Sequence, residues 1–373
     1  MIWFAKDYID LIPMNKHRYV AVMAGGIGSR FWPMSRSSYP KQFLDVLGLG
    51  RTLIQQTIDR YKRLVPAENI FIVTSADYVS LVKQQLPEIK DEQILAEPYR
   101  KNTAACIAYI AYKLKAIDPK ASMIAAPADH LVMEPEAFVQ AVNQAFDFVE
   151  SKDALVTIGI KPNHPNTGYG YIQFDPEVKI GEVYDVKTFT EKPNLEMAQT
   201  FLASGDFLWN AGIFTWTVDS ILTALEKHVP EISELFVAER SAFNTSAEAE
   251  AVERIYTQCV NTSIDIAVME KAENVFVIPA DFGWTDLGTW NSAWDNMEKD
   301  YFGNAVVGKQ VMVVDANNCM VHAGANKLMV LQGLKDYIIV DTPDVLLICK
   351  RDQEQAIKEY VAEVKRNFGE QYL

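Results

Sequence analysis

Gly25, Gly26 and Gly28 stand directly after the apolar run from Tyr19 to Met23, and Ser29, Arg30 and Lys41 follow them. Glycine permits positive φ and close approach of the backbone, so successive N–H groups there can converge on an anion. Arg30 adds a planar fork of donors, and Lys41 adds a compact positive charge. A strand feeding a glycine loop with two following cations suggests a bound polyphosphate. Two familiar glycine loops are excluded by spacing. A P-loop needs Lys and then Ser or Thr straight after its last glycine, and no such pair occurs here. A dinucleotide fingerprint needs a glycine three residues beyond Gly28, where the chain has Phe31.

Two aspartates suggest a metal. Asp129 follows the run from Met123 to Ala126, and Asp286 sits in the segment Trp284-Thr285-Asp286-Leu287-Gly288. A bound polyphosphate concentrates negative charge, so neutralising groups are expected beside it. Mg²⁺ commonly takes one or two carboxylates plus phosphate oxygens, and these aspartates are the candidate pair. By residue type alone, Asp129 also reads as a helix cap and Asp286 as a turn former. Likewise Glu191-Lys192-Pro193 reads as a solvated turn, Gly170 as a bulge, Asn210 as a turn former and Asn102 as a helix cap.

Gly25-Gly26-x-Gly28-Ser29-Arg30-x-x-Pro33 followed by Pro40-Lys41 resembles the signature of the sugar-nucleotide pyrophosphorylases, nucleotidyltransferases that act on sugar 1-phosphates. Phe31-Trp32-Pro33-Met34-Ser35-Arg36 with Tyr39-Pro40-Lys41-Gln42-Phe43 looks most like their mannose-1-phosphate guanylyltransferase branch. Many relatives have Thr in place of Ser29; both supply a hydroxyl. The resemblance implies GTP and mannose 1-phosphate as substrates and Mg²⁺ as cofactor. It implies that Gly25, Gly26, Gly28, Ser29 and Arg30 hold the departing phosphates, with Lys41 at the α-phosphoryl group. Asp129 and Asp286 would bind the metal, Asp129 also serving the nucleotide. Glu97, Asn102 and Thr103 match the segment that faces base and ribose, where an acceptor such as Glu97 suits the donor edge of guanine. Glu191 would bond sugar hydroxyls, Lys192 would meet the sugar 1-phosphate, and Gly170, Asn210 and Gly212 would contact the sugar. Catalysis then falls to Arg30, Lys41, Asp129, Lys192 and Asp286.

The elements that must position these residues are legible as periodicities. Short apolar runs at Tyr19 to Met23, Ile70 to Thr74, Ile94 to Ala96, Met123 to Ala126, Leu155 to Ile158 and Val275 to Ile278 read as buried strands. Between them, helical spacing predicts helices over 52–65, 77–86, 102–111 and 135–149, the third capped by Asn102. This alternation predicts an α/β fold with a parallel sheet covered on both faces, and such sheets bind ligands beyond the carboxyl ends of their strands. Gly25, Glu97 and Asp129 all follow such strands, so one cleft is expected to collect them. With the sheet segments at 167–172 and 183–190, the expected class is a Rossmann-like mixed, mainly parallel sheet, of the nucleotide-diphospho-sugar transferase type that the resemblance implies. Residues 218–271 read as mostly helical. A boundary near Asp300 to Asn304 divides a catalytic domain, 17–299, from a small β-rich domain, 300–373, that ends in an amphipathic helix over 352–366. This tail carries no constellation that suggests chemistry and reads as a packing or self-association module, with a homodimer among the partner expectations. Residues 1–16 form an N-terminal extension; Met14 is a plausible start, so residues 1–13 are expected to lie outside the catalytic fold.

Composition narrows the class further. With 49 acidic against 35 basic residues, the net charge of −14 argues against broad binding to nucleic acid or anionic membrane, so any phosphate site must be a local cluster of cations. No apolar run approaches the roughly 20 residues that span a bilayer. The four cysteines show no C-x-x-C spacing, which suggests buried thiols in a reducing cytoplasm rather than zinc ligands or disulfides. Residue types do not separate sugars, so a heptose, fucose or glucose 1-phosphate, or another nucleoside triphosphate, is the alternative. A non-catalytic regulatory homologue is less favoured, because Lys41, Asp129, Lys192 and Asp286 are all present. A fused isomerase is not expected: the five histidines are dispersed, and longer relatives carry a further cupin domain for that chemistry.

Overall fold

The apolar runs are strands of one sheet. A computed structural model describes residues 14–26, 28–324 and 327–373, so the expectation for residues 1–13 lies outside the described residues. The chain divides into two units. The first comprises residues 14–23, Ile58–Pro127 and Val132–Trp284; the second comprises Ala24–Thr57, Ala128–Leu131 and Thr285–Leu373.

In the first unit a nine-stranded sheet runs in the order Ile94–Glu97, Ile70–Ser75, Arg18–Met23, Ser122–Pro127, Phe207–Thr217, Leu155–Ile160, Val275–Ala280, Val183–Thr190, Tyr171–Ile180. Only Phe207–Thr217 and Val183–Thr190 run against the other strands, so the sheet is mixed and mainly parallel in direction. Parallel strands buried on both faces are uniformly apolar. Tyr19, Ala21, Phe71, Val73, Met123 and Ala125 pack on the helix Asn102–Ile117, whose residues 104–114 are all buried. On the helix Pro135–Ser151, Phe148 meets Phe276 edge-on at 5.1 Å. Fully buried Val20, Ile72 and Ile124 each contribute about 1.5–3 kcal/mol by leaving water.

Departures from the sequence reading have local causes. Residues 167–170 stay outside the sheet, and the strand begins at Tyr171. Asn210-Ala211-Gly212, which resembles a turn, lies inside the strand Phe207–Thr217 as a bulge, with Gly212 at φ 68°. The helical stretch 218–271 is broken into Val218–His228, Pro230–Ala238 and Glu248–Gln258, followed by a π-helix at Asp265–Met269. Pro230 explains the first break, because proline starts a helix but cannot continue one.

The second unit joins the glycine loop to the C-terminal strands. Ala305–Val307, Met320–His322 and Tyr337–Asp341 stack in parallel, as do Val311–Val314 and Met329–Gln332 on another side. This is a short coil of parallel strands, closed by antiparallel Leu346–Lys350 and the helix Ile357–Phe368. One apolar cluster brings Phe31, Trp32 and Leu44 against Leu287, Trp290, Ile338, Leu347 and Ile357, and a second, of Ala316, Cys319, Val321, Leu331 and Ile339, fills the coil.

Candidate active site

The polyphosphate candidates fall in the second unit, and their geometry begins with Lys41. It sits in a short 3-10 turn, Lys41–Phe43, and is 4% exposed. A buried ammonium is costly unless paired. Lys41 Nζ makes an ion pair with Asp129 Oδ2 at 2.9 Å and donates to the main-chain carbonyl of Asp286 at 2.6 Å. One lysine thus ties together the two aspartates that lie 157 residues apart in sequence, as read from their numbers. Burial alone would raise the pKa of Asp129, but the charges of Lys41 and His130 outweigh it and hold the carboxyl below its ordinary value. Asp129 is therefore ionised at neutral pH. Its segment is fixed by the Thr57 hydroxyl, which donates to the Ala128 carbonyl at 3.1 Å.

Gly28 is required by this arrangement. Its φ is +62°, and a Cβ there would lie 2.4 Å from Lys41 Cβ. Gln42, buried beside Lys41, donates from Nε2 to the carbonyls of Ala24 and Gly26, both at 2.9 Å. With its carbonyls tied back by Gln42, the loop is held in place. Gly28, Arg30, Phe31, Lys41, Asp129, Gly288 and Lys358 line a cavity of about 260 Å³. Asp286 Oδ1 accepts from the Gly288 amide at 2.9 Å, which fixes that carboxylate in its turn. Gly25 and Gly26 precede this cavity in the same loop, and Ser29 opens the turn Ser29–Phe31. The side chain of Ser29 lies outside what the structure describes.

The sugar candidates are in the first unit. A Cβ on Gly170 would lie 2.7 Å from Glu191 Oε2 and 3.3 Å from Asn210 Cβ, so Gly170, Glu191 and Asn210 converge. Lys192, at φ 48°, is exposed and paired with Glu191. The bulge lets Asn210 Oδ1 accept from the Gly212 amide at 3.0 Å and from the Thr157 hydroxyl at 3.1 Å. Asn210 Nδ2 donates to Asp265 at 2.9 Å. Burial and, second, the charge of Glu191 push Asp265 up to about 6. Sequence reading missed Asp265 and Gln42. The π-helix at Asp265 is a signal visible only in structure, since such turns gather at functional sites.

The base-facing candidates are also in the first unit. Glu97 is buried, accepts from the Tyr256 hydroxyl at 2.9 Å and is pushed up to about 7 by burial. Asn102 opens its helix at φ 66°, and its side chain accepts from the Thr103 amide at 2.9 Å, one residue on, rather than from deeper in the first turn as a standard cap would. Thr103 Oγ1 accepts from the Ile264 amide at 2.8 Å. Gly25 and Asp129 belong to the second unit and Glu97 to the first. In the tail, which reads from sequence as carrying no constellation for chemistry, Lys358 lines the same cavity as Arg30 and Lys41, placed there by the packing of its helix.

The nucleotidyl transferase family model matches residues 19–301, and the mannose-phosphate isomerase/GMP-like β-helix domain matches residues 309–364. Mannose-1-phosphate guanylyltransferase of Escherichia coli K12 is 37% identical, over 93% of this chain and 73% of its own length. The alginate biosynthesis protein AlgA of Pseudomonas aeruginosa is 38% identical, over 92% and 71%. The crystal structure of a Thermus thermophilus protein described as mannose-1-phosphate geranyltransferase superposes with a TM-score of 0.83 at 28% identity, covering 94% of this chain and 99% of that one.

Proposed function

The chain belongs to the nucleotidyl transferase family, and on that premise we propose that it transfers GMP from GTP to α-D-mannose 1-phosphate, giving GDP-mannose and pyrophosphate. The observation that carries this reading is Lys41, bonded at once to Asp129 and to the Asp286 carbonyl beside a cavity lined by Gly28 and Arg30. An oxygen of the sugar phosphate attacks the α-phosphorus of GTP in line. The new P–O bond forms as the α–β bridging bond breaks, and its electron pair leaves with pyrophosphate. No general base is needed, since a phosphate monoester is largely ionised near neutral pH.

Loop amides, Ser29 and Arg30 hold the departing β and γ phosphates, and Lys41 neutralises charge that grows around the α-phosphoryl group. Lys192 positions the attacking phosphate, and Glu191 with Gly170, Asn210 and Gly212 holds the sugar. Glu97, Asn102 and Thr103 serve the base and ribose. Asp129 and Asp286 offer hard oxygen donors, which would fit a divalent cation such as Mg²⁺. Among the described residues no group of three or more His, Cys, Asp or Glu forms a cage, so a metal here would share its ligands with substrate. When bound, it supplies Lewis-acid neutralisation of the phosphates.

The reaction is assigned to the cytoplasm, where the four free, buried cysteines stay reduced. No helix among the described residues is long and apolar enough to cross a membrane. For a homodimer, the exposed Met312, Val314 and Val330 of the C-terminal coil supply an apolar face. The decisive test is pyrophosphate release from each of the four nucleoside triphosphates with mannose, glucose, fucose or heptose 1-phosphate, with and without Mg²⁺. GTP with mannose 1-phosphate is the expected best pair, and a clear preference for UTP or dTTP overturns the guanylyl assignment.

A further inference from the structure

The helix Ile357–Phe368 reads from sequence as a simple amphipathic closure, with Ile357, Val361 and Val364 on its apolar face. Those residues are spaced i, i+4 and i+7, so they share one stripe. Ile357 is 1% exposed and belongs to the same apolar cluster as Phe31, Leu287 and Trp290, with Val361 and Val364 packed against it. Phe31 directly follows Arg30, and Leu287 directly follows Asp286. The apolar stripe of this helix is therefore seated on the residues that carry the phosphate loop and one carboxylate.

Three further contacts fix the segment. The Asn291 amide donates to the Glu354 carboxylate at 2.9 Å, and the Asn291 side chain donates to the Arg351 carbonyl at 2.8 Å. Near the chain end, the Trp32 indole donates to the Tyr372 carbonyl at 2.8 Å. The segments flanking the helix, Arg351–Ala356 and Glu370–Tyr372, are thus bonded to Asn291 and Trp32, which stand close in sequence to the lining residues Gly288 and Phe31, and Lys358 is carried on a fixed element.

We propose that Lys358 is a phosphate-binding residue of this cavity, gripping the terminal phosphates of the triphosphate and the pyrophosphate that leaves. Lys358 lines the cavity with Arg30 and Lys41. Lys41 is already committed to Asp129. Lys358, by contrast, forms no ion pair or hydrogen bond with any other described residue and is exposed. In a chain of net charge −14, carboxylates are plentiful as partners, yet Lys358 has none among the described residues; with Lys41 offset by Asp129, Arg30 and Lys358 leave the cavity an excess of positive charge. Pyrophosphate and the terminal phosphates of the triphosphate each carry multiple negative charges, and a flexible ammonium with three donors binds phosphate as a point charge. The C-terminal segment is then part of the substrate site.

The inference rests on reading this cavity as the polyphosphate site, and its test separates the two claims. Full-length Lys358→Ala, Lys358→Gln and Lys358→Arg chains are compared with the wild type in pyrophosphorolysis of GDP-mannose. Inorganic pyrophosphate is also titrated into each chain by calorimetry. For Ala and Gln the KM and Kd for pyrophosphate rise about 10- to 100-fold, the range for a lost hydrogen bond to a charged group. The KM for GDP-mannose stays within about twofold, melting temperature is unchanged, and Arg restores most of the affinity. Unchanged pyrophosphate affinity in Lys358→Ala overturns the assignment, as does an equal rise in both KM values or a wild type that does not bind pyrophosphate. A wild type that binds pyrophosphate but does not consume GDP-mannose refutes the proposed function and leaves Lys358 to be decided by calorimetry alone.

Discussion

Replacing Lys41 with Met tests the centre of the site, because it removes the charge and keeps most of the volume. In the folded protein two bonds disappear, the ion pair to Asp129 and the donation to the Asp286 carbonyl. Breaking a fully buried pair typically costs about 3–5 kcal/mol, but the Asp129 side chain is 30% exposed, and water compensates part of that. A stability loss of roughly 1–3 kcal/mol is expected, enough to measure and too small to unfold the chain at 25 °C. In the transition state the loss is that of one preorganised electrostatic contact, which is worth ~10²–10³ in rate. A pH effect accompanies it. In the wild type, the depressed Asp129 pKa gives stability that is present above the ordinary carboxylate value and lost as pH falls through the folded value. Without Lys41, burial is left as the largest influence on Asp129, so the variant falls in stability less than the wild type as pH is lowered, and the difference between the two shrinks on acidification. The assays are pyrophosphate release at saturating substrates and urea unfolding from pH 3 to 8. Turnover within about threefold of wild type refutes the role given to Lys41.

Gln42→Leu frees the Ala24 and Gly26 carbonyls, so KM for GTP should rise about 10-fold or more while the secondary structure by circular dichroism stays intact. Gly28→Ala places a Cβ against Lys41 at a left-handed φ and should lower kcat as Lys41→Met does, read in the same release assay. Asp265 is pushed up to about 6, above its unfolded value of about 3.9, so its contribution to stability is full below that unfolded value and is lost as pH rises through the folded one. Asp265→Asn should therefore gain melting temperature over wild type as pH rises from about 4 to about 7, and a pH-independent difference refutes the argument. Because Asp265 orients Asn210, the same variant should raise KM for mannose 1-phosphate with little effect on KM for GTP.

Much of the first unit could be read from periodicity because parallel strands buried on both faces are continuous apolar runs, as Val20 to Val22 and Ile70 to Val73 show. Lys41, Asp129 and Asp286 were also accessible, since each stands at a strand end or in a short motif where charge is unusual. Other features left no such mark. Asp265 lies within a helical pattern, and a π-turn adds a residue that periodicity does not register. The C-terminal coil pairs strands of three to five residues at uneven spacing, so no repeat is visible although its strands stack in parallel. Gln42 stands in the motif Tyr39-Pro40-Lys41-Gln42-Phe43, but its role is not legible there, because it depends on which carbonyls its amide reaches, and those are set by the loop it holds.

Lys358 shows why charge alone cannot be read from sequence. As text it is one lysine on the polar face of an amphipathic helix, the same as any solvated one, and the net charge of −14 gives it many nominal partners. Its place follows from its neighbour: Ile357 must leave water, and it does so in the cluster around Phe31, Leu287 and Trp290. Burying that side chain is worth about 1.5–3 kcal/mol, more than the roughly 0–1 kcal/mol that a surface ion pair would return to Lys358 elsewhere. The hydrophobic term therefore sets where the helix lies, and the ammonium is carried to the cavity lined by Arg30 and Lys41 as a consequence. The same order of magnitudes holds for Arg30, whose position follows from the burial of Phe31. In this unit the apolar residues beside the cations determine the electrostatics of the site.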